Sequence, residues 1–155
     1  MVFLVPLATP QTHDYFCKAI TANEAQDVPI KMILGNAQKM MQAADVVILA
    51  SGTATLEASL LKKPMVLIYK LNKLTYHLLK NKFYLPYFGL PNIIIQRFVV
   101  PELIQNAANV GNVVEAVENY LNNPQLCREL TDHFTDLHRS LRNNACDKAA
   151  QAVLS

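Results

Sequence analysis

Apolar residues in this chain arrive in short compact runs separated by stretches with helical spacing. Residues 2–8 read as a short buried strand ended by Thr9 and Pro10, after which Tyr15, Phe16, Ala19 and Ile20 mark one face of a helix. A second strand is expected over residues 29–34, stopped by Gly35, with Asn36 placed to cap a short helix through Ala43. Residues 45–50 hold the purest apolar run, Val-Val-Ile-Leu, which predicts a parallel strand buried on both faces. Residues 53–62 follow as a helix with Leu56, Leu60 and Leu61 on one side, and Pro64 opens another strand through Tyr69. A basic amphipathic helix over about residues 73–83 comes next, then an irregular stretch ending in Ile93, Ile94 and Ile95. From Val100 onward the spacing is helical: a short segment at 101–105, a helix over 112–121, a longer amphipathic run over 124–141 and a closing helix.

Strands alternating with helices at this spacing predict an α/β fold, a Rossmann-like parallel sheet covered by helices on both faces. The length, 155 residues, suits one ordinary domain, and 52 % hydrophobic composition supplies its core. Residues 1–106 form the expected Rossmann-like core and residues 107–155 a C-terminal helical extension of the same domain. With 17 % charged residues and no low-complexity run, the whole chain is expected to fold.

Charge changes the picture more than composition does. The net charge is +2, yet no acidic residue stands between Glu57 and Glu102, while Lys62, Lys63, Lys70, Lys73, Lys80, Lys82 and Arg97 give that window +7. The remainder carries −5. Such a field favours anionic partners: nucleotide diphosphates, phospholipid headgroups or nucleic acid; a solvated Lys-rich helix is the plainer alternative. Nucleic acid fits least, because the lysines are not interleaved with a reader motif and the overall balance is only weakly basic. Cys17, Cys127 and Cys146 are odd in number and widely spaced, which argues against a disulfide scaffold or a zinc site and for a reducing cytoplasm. The apolar start at residues 1–7 lacks a basic flank and meets Pro6 and Pro10 too early for a signal peptide or membrane helix, so membrane contact is expected to be peripheral.

The chemistry is expected where the best strand runs into the next helix, at Ala50-Ser51-Gly52-Thr53-Ala54-Thr55-Leu56-Glu57. Ser51 and Thr53 bring hydroxyl groups, Gly52 lets the backbone approach a ligand, and the unpaired N–H groups of a helix start favour phosphate. Glu57, one turn on, can accept hydrogen bonds from ribose hydroxyls. On spacing alone the alternative stands equally open, that Ser51 or Thr53 caps the helix and Glu57 answers its dipole. Two later segments add polar groups: Asn92 after a rigid Leu-Pro turn, and Glu102, Gln105 and Asn106 on the expected short helix opened by Pro101. Turn and surface roles are the stronger reading for these. His13, His77, His133 and His138 assemble no catalytic constellation.

From Asp45 on, the string "DVVILASGTATLEASLLKKPMVLIYKLNKLTY" resembles the corresponding stretch of bacterial lipid A disaccharide synthases, and the likeness continues through "LPYFGLPNII" and "VPELIQ". It is strong over residues 30–106. The resemblance implies the C-terminal domain of a GT-B glycosyltransferase, which binds the nucleotide sugar. It implies transfer of 2,3-diacylglucosamine from UDP-2,3-diacylglucosamine to 2,3-diacylglucosamine 1-phosphate with inversion, releasing UDP, and with no metal or cofactor. By the same resemblance Ser51, Gly52, Thr53 and Thr55 would hold the diphosphate and Glu57 the ribose. Asn92, Glu102, Gln105 and Asn106 would line the donor sugar, and Arg97 would stabilise the departing UDP. Lys73, Tyr76, Lys80 and Lys82 would then meet an anionic membrane surface, at the inner face of the inner membrane of a Gram-negative bacterium.

By the same resemblance, the acceptor-binding N-terminal domain with its catalytic base and the Arg-containing loop at the domain junction are expected to lie outside these 155 residues. The chain's first strand matches about the second of the donor domain, as expected of a fragment, a split gene or a separately encoded half. The expected partner is an N-terminal acceptor domain or a second copy, and the isolated chain is expected to be inactive. A nucleotide-binding or membrane-binding module is the alternative. The final helices are expected to leave an apolar patch that a partner covers.

Overall fold

The computed structural model describes residues 1–50, 52–72, 86–142 and 145–154. They form an α/β protein with parallel strands flanked by helices, in two compact units, Met1–Ala44 and Asp45–Ser155. The helices after residue 107 belong to the second unit together with residues 45–106.

In the first unit, β1 (Phe3–Leu7) pairs in parallel with β2 (Ile30–Leu34), in a register running from Phe3 opposite Ile30 to Leu7 opposite Leu34. The crossover is α1 (Pro10–Ala22), which begins where the sequence provides both a cap and a proline. The Thr9 hydroxyl accepts from the Thr12 N–H at 3.2 Å, the Thr12 hydroxyl accepts from the Thr9 N–H at 3.1 Å, and Pro10 needs no partner for the N–H it lacks. Gly35 ends β2 at φ +71°, a left-handed turn suited to glycine. The expected capping role of Asn36 is not realised. Asn36 is itself left-handed (φ 55°) and its side chain makes no cap bond, so α2 (Ala37–Ala43) starts on backbone geometry alone. α2 buries Met40 and Met41 and packs on β1.

The second unit is built on three parallel strands in the order β3-β4-β5: β3 (Val47–Leu49), β4 (Met65–Tyr69) and β5 (Glu102–Ile104). Met65 and Val66 are fully enclosed, so β4 is the buried central strand. The sequence assigned that place to residues 45–50. Instead β3 is short and lies at the sheet's edge, with Ile48 45 % exposed. Two further expectations change. Residues 101–105 are not helical: residues 102–104 extend as β5 beside β4, and the Pro101 carbonyl accepts from the Leu67 N–H at 3.0 Å. Three side by side isoleucines suggested irregular or extended chain, yet Leu90–Ile95 is a short helix, α4, with Pro91 in its first turn.

α3 (Thr53–Leu60) joins β3 to β4. A 3₁₀ turn (Gln105–Ala107) leads to α5 (Val110–Asn122), capped by the Asn109 side chain accepting from the Asn112 N–H at 3.0 Å. α6 (Pro124–Leu141) starts the same way, Asn123 accepting from the Leu126 N–H at 3.1 Å. Leu130, Phe134 and Leu137 fall on one face of α6 and are buried where it packs on α3 and α4. Burying Phe134 alone stabilises this unit by about 1.5–3 kcal/mol. The last helix is α7 (Ala145–Leu154). No described helix is long and apolar enough to cross a membrane.

Candidate functional site

Because β3, β4 and β5 run in one direction, the segments that leave them meet at one edge of the sheet: Gly52 and Thr53 after β3, Lys70 and Leu71 after β4, Gln105 and Asn106 after β5. This is the edge at which open α/β sheets bind ligands. Gly52 stands at φ 133°, a backbone conformation that side-chain-bearing residues rarely adopt, and a Cβ there would meet nothing within 4 Å. The chain therefore turns sharply into α3 beside open space. Gly52, at the N-cap, has no side chain to cap α3, and the Thr55 N–H is spent on the Gly52 carbonyl at 3.1 Å, so the partial positive charge open to a ligand is that of the N–H groups ahead of Thr55. Thr53 and Glu57 are exposed beside them.

Thr55 is put to a different use from the diphosphate contact that the resemblance implies. It is fully buried, and its single hydroxyl proton goes to the Gly52 carbonyl at 2.7 Å. Ser59, also buried, repeats the move one turn on, donating to the Thr55 carbonyl at 2.8 Å. Thr55 thus shapes the turn from within. Ser51 lies outside the described residues.

Asn92, Glu102 and Gln105, read as groups lining the donor sugar, are drawn into the fold's own hydrogen bonds. The Asn92 side chain is fully buried and uses its whole capacity on four bonds. Its Nδ2 donates to the Val100 carbonyl at 2.9 Å and to Glu102 Oε1 at 2.8 Å, and its Oδ1 accepts from the N–H groups of Val99 (2.8 Å) and Val100 (3.0 Å). Glu102 also accepts from the N–H groups of Phe88 (2.8 Å) and Gly89 (2.9 Å), so a carboxylate sits at the start of α4, where the helix dipole favours it. The Gln105 amide clasps the backbone of Leu71, accepting its N–H at 2.8 Å and donating to its carbonyl at 3.3 Å, which ties the exits of β4 and β5 together. Asn106 is exposed beside that tie.

Arg97 lies in the segment that enters β5, and its guanidinium meets the His133 ring on α6. The two line a cleft of about 380 Å³ whose other walls include Ile94, Ile95, Asp136 and Leu137. A second cation–imidazole contact follows on the same helix, Lys62 Nζ to His138 Nδ1 at 2.7 Å. Sequence reading treated these histidines as separate surface residues, since nothing in the sequence tied positions 97 and 133 or 62 and 138. Also unforeseen is an apolar cleft of about 340 Å³ at the strand-exit edge, between Ile68, Tyr69 and Lys70 and the first turn of α5 at Val110, Val113 and Val114. The i, i+3, i+4 spacing of those valines was the available signal. Lys73, Tyr76, Lys80 and Lys82, the expected membrane contacts, lie outside the described residues.

Comparison with known proteins adds descent to this geometry. The family model of lipid-A-disaccharide synthetase matches residues 1–155. The lipid-A-disaccharide synthase of Azoarcus sp. (strain BH72) is 48 % identical over 154 residues, covering 99 % of this chain and 39 % of its own length. That of Dechloromonas aromatica (strain RCB) is 46 % identical over 153 residues, covering 99 % and 40 %. That of Chromobacterium violaceum is 47 % identical over 152 residues, covering 98 % and 39 %. The chain thus spans about 40 % of the length of these relatives, and matches their C-terminal portion. With every residue matched by the family model and nearly half identical to relatives along the whole chain, the protein belongs to the lipid-A-disaccharide synthetase family of glycosyltransferases.

Proposed function

We propose that this chain is the donor-binding part of a lipid A disaccharide synthase, taking a UDP-sugar at the strand-exit edge of the second unit. The observation that carries the reading is the β3–α3 turn, with Gly52 at φ 133° and the uncapped start of α3 open beside it. A diphosphate laid against those N–H groups gains from both hydrogen bonding and the helix dipole. Glu57, exposed one turn along α3, is placed to accept ribose hydroxyls. Among the described members of the expected set, Gly52, Thr53, Glu57 and Asn106 are exposed to a ligand, while Thr55, Asn92, Glu102 and Gln105 hold the backbone around it.

The reaction this serves is inverting transfer of 2,3-diacylglucosamine from its UDP derivative to the 6-hydroxyl of 2,3-diacylglucosamine 1-phosphate, with UDP released. On this reading the base and the acceptor site lie outside the matched region, and the isolated chain binds donor without turning it over. The +7 window of residues 58–101 supports peripheral attachment to an anionic membrane on the cytoplasmic side, where both acylated substrates would be met.

Calorimetric titration of the purified chain with UDP tests the proposal, beside a variant carrying Thr53→Ala and Glu57→Ala. Saturable binding that the double variant loses is expected. A folded chain that takes up no UDP, or a variant that binds it equally well, would sink the reading.

A further inference from the structure

Two cations of the acid-free window rest on imidazoles instead of carboxylates. Arg97 meets His133, and Lys62 Nζ lies 2.7 Å from His138 Nδ1. Neither cation forms an ion pair with a carboxylate among the described residues. The cause lies in the sequence: with no acid between Glu57 and Glu102, these segments bring no counter-charge of their own, and α6 presents histidines to them. A neutral imidazole gives a cation a lone pair but no negative charge, so the positive field persists.

Of the two, Arg97 stands in a cleft. It precedes β5, at the edge where the strands enter, opposite the exits at which UDP is proposed to bind. A guanidinium donates and never accepts, so the Nε2 it meets on His133 holds a lone pair and the ring proton sits on Nδ1. Arg97 uses Nη2 for that contact, while its Nε and Nη1 make no hydrogen bond among the described residues. Ile94, Ile95 and Leu137 give the cleft of about 380 Å³ an apolar wall. Its one lining carboxylate, Asp136, is paired with Arg139 at 3.2 Å, and the Ser140 hydroxyl proton goes to the Leu137 carbonyl at 2.8 Å. What the cleft offers a ligand is therefore positive charge and N–H donors beside an apolar surface.

We propose that this cleft is an oxyanion site for a phosphate group, with Arg97 as its anchor and His133 as a second donor. Guanidinium and phosphate match through paired N–H···O bonds, which a planar fork makes and an ammonium does not. The same donors serve the free anion and a phosphate carried on an aliphatic stem; the apolar wall favours the second. Arg97 thereby has a different partner from the departing UDP that the resemblance implies. The site uses none of Gly52, Thr53 or Glu57, so it stands or falls apart from the UDP reading.

Calorimetric titration of the full 155-residue chain tests this with three probes: inorganic phosphate, octyl phosphate below its micelle concentration, and octyl glucoside. Octyl phosphate is expected to bind saturably, ~10-fold tighter than inorganic phosphate, and octyl glucoside not to bind. Equal affinity for the two phosphates would support the oxyanion site with the free anion as its ligand. Arg97→Gln, at an exposed position, should weaken octyl phosphate at least ~10-fold with the circular dichroism unchanged. The variant carrying Thr53→Ala and Glu57→Ala should bind it as the natural chain does. Binding that Arg97→Gln leaves intact, equal uptake of octyl glucoside, or a folded chain that takes neither phosphate would overturn the proposal. So would loss of octyl phosphate binding in the Thr53, Glu57 variant, since the phosphate would then sit at the strand-exit edge.

Discussion

Replacing Asn92 by alanine separates a residue that builds the site from one that touches the ligand. The side chain removed makes four hydrogen bonds in a fully enclosed position. Its loss strands the N–H and carbonyl of Val100, a residue 2 % exposed, together with the Val99 N–H and one acceptor site on Glu102. A buried group left unpaired costs about 1–3 kcal/mol, so three backbone groups set an upper range of several kcal/mol. Water entering the vacated space would satisfy part of that demand. A net loss of about 3–5 kcal/mol is expected, a large fraction of the roughly 5–15 kcal/mol that stabilises a domain. For a chain of this size it corresponds to a fall in midpoint of about 10 °C.

The assay is urea unfolding followed by circular dichroism, with amide exchange at Val99 and Val100 to assign the loss to the second unit, because two compact units need not unfold together. Asn92→Asp sharpens the test. Aspartate has nearly the shape of asparagine but presents acceptors where Nδ2 donates to the Val100 carbonyl and Glu102, so it should be at least as damaging as alanine. If Asn92→Ala cost under about 1 kcal/mol while weakening UDP binding ~10-fold, the residue would be a ligand contact and the structural argument would be refuted.

Two further perturbations probe the same unit. A Cβ at the buried Gly89 would overlap Leu67 Cδ1, so Gly89→Ala should cost about 1–3 kcal/mol, and combining it with Leu67→Val should cost less than the two added separately, in a double-mutant cycle by urea unfolding. Burial, and secondarily the neighbouring Cys127 thiol, push the Tyr120 hydroxyl well above its ordinary value of 10.0. The folded state therefore holds this proton more tightly than the unfolded state, and stability is retained below about pH 10 and lost above it, at up to about 1.4 kcal/mol per pH unit. Tyr120→Phe should flatten that alkaline decline; an unchanged slope would mean that other groups cause it.

What could be read from the sequence, and what could not, divides by how local the cause is. The strand-to-helix turn at residues 50–57 and the long amphipathic helix α6 follow from neighbouring residues: an apolar run ending at Gly52, and buried positions at 130, 134 and 137. β5 could not be found that way, since three residues after a proline show no period and become a strand only because β4 lies alongside. α4 fails for the opposite reason. Its Ile-Ile-Ile run argues against helix on propensity, and the helix is held by bonds reaching from Asn92 to residues 99–102 and from Glu102 back to residues 88 and 89. The same bonds show why polar residues of the candidate site carry two readings in the sequence. A polar side chain amid apolar sequence must find partners, and a ligand or the protein's own backbone satisfies that demand equally well. Position in the chain distinguished neither case for Thr55, Asn92, Glu102 and Gln105; their partners lie within the fold. Gly52, Thr53 and Glu57 instead stand exposed, and it is on them that the proposed UDP site rests.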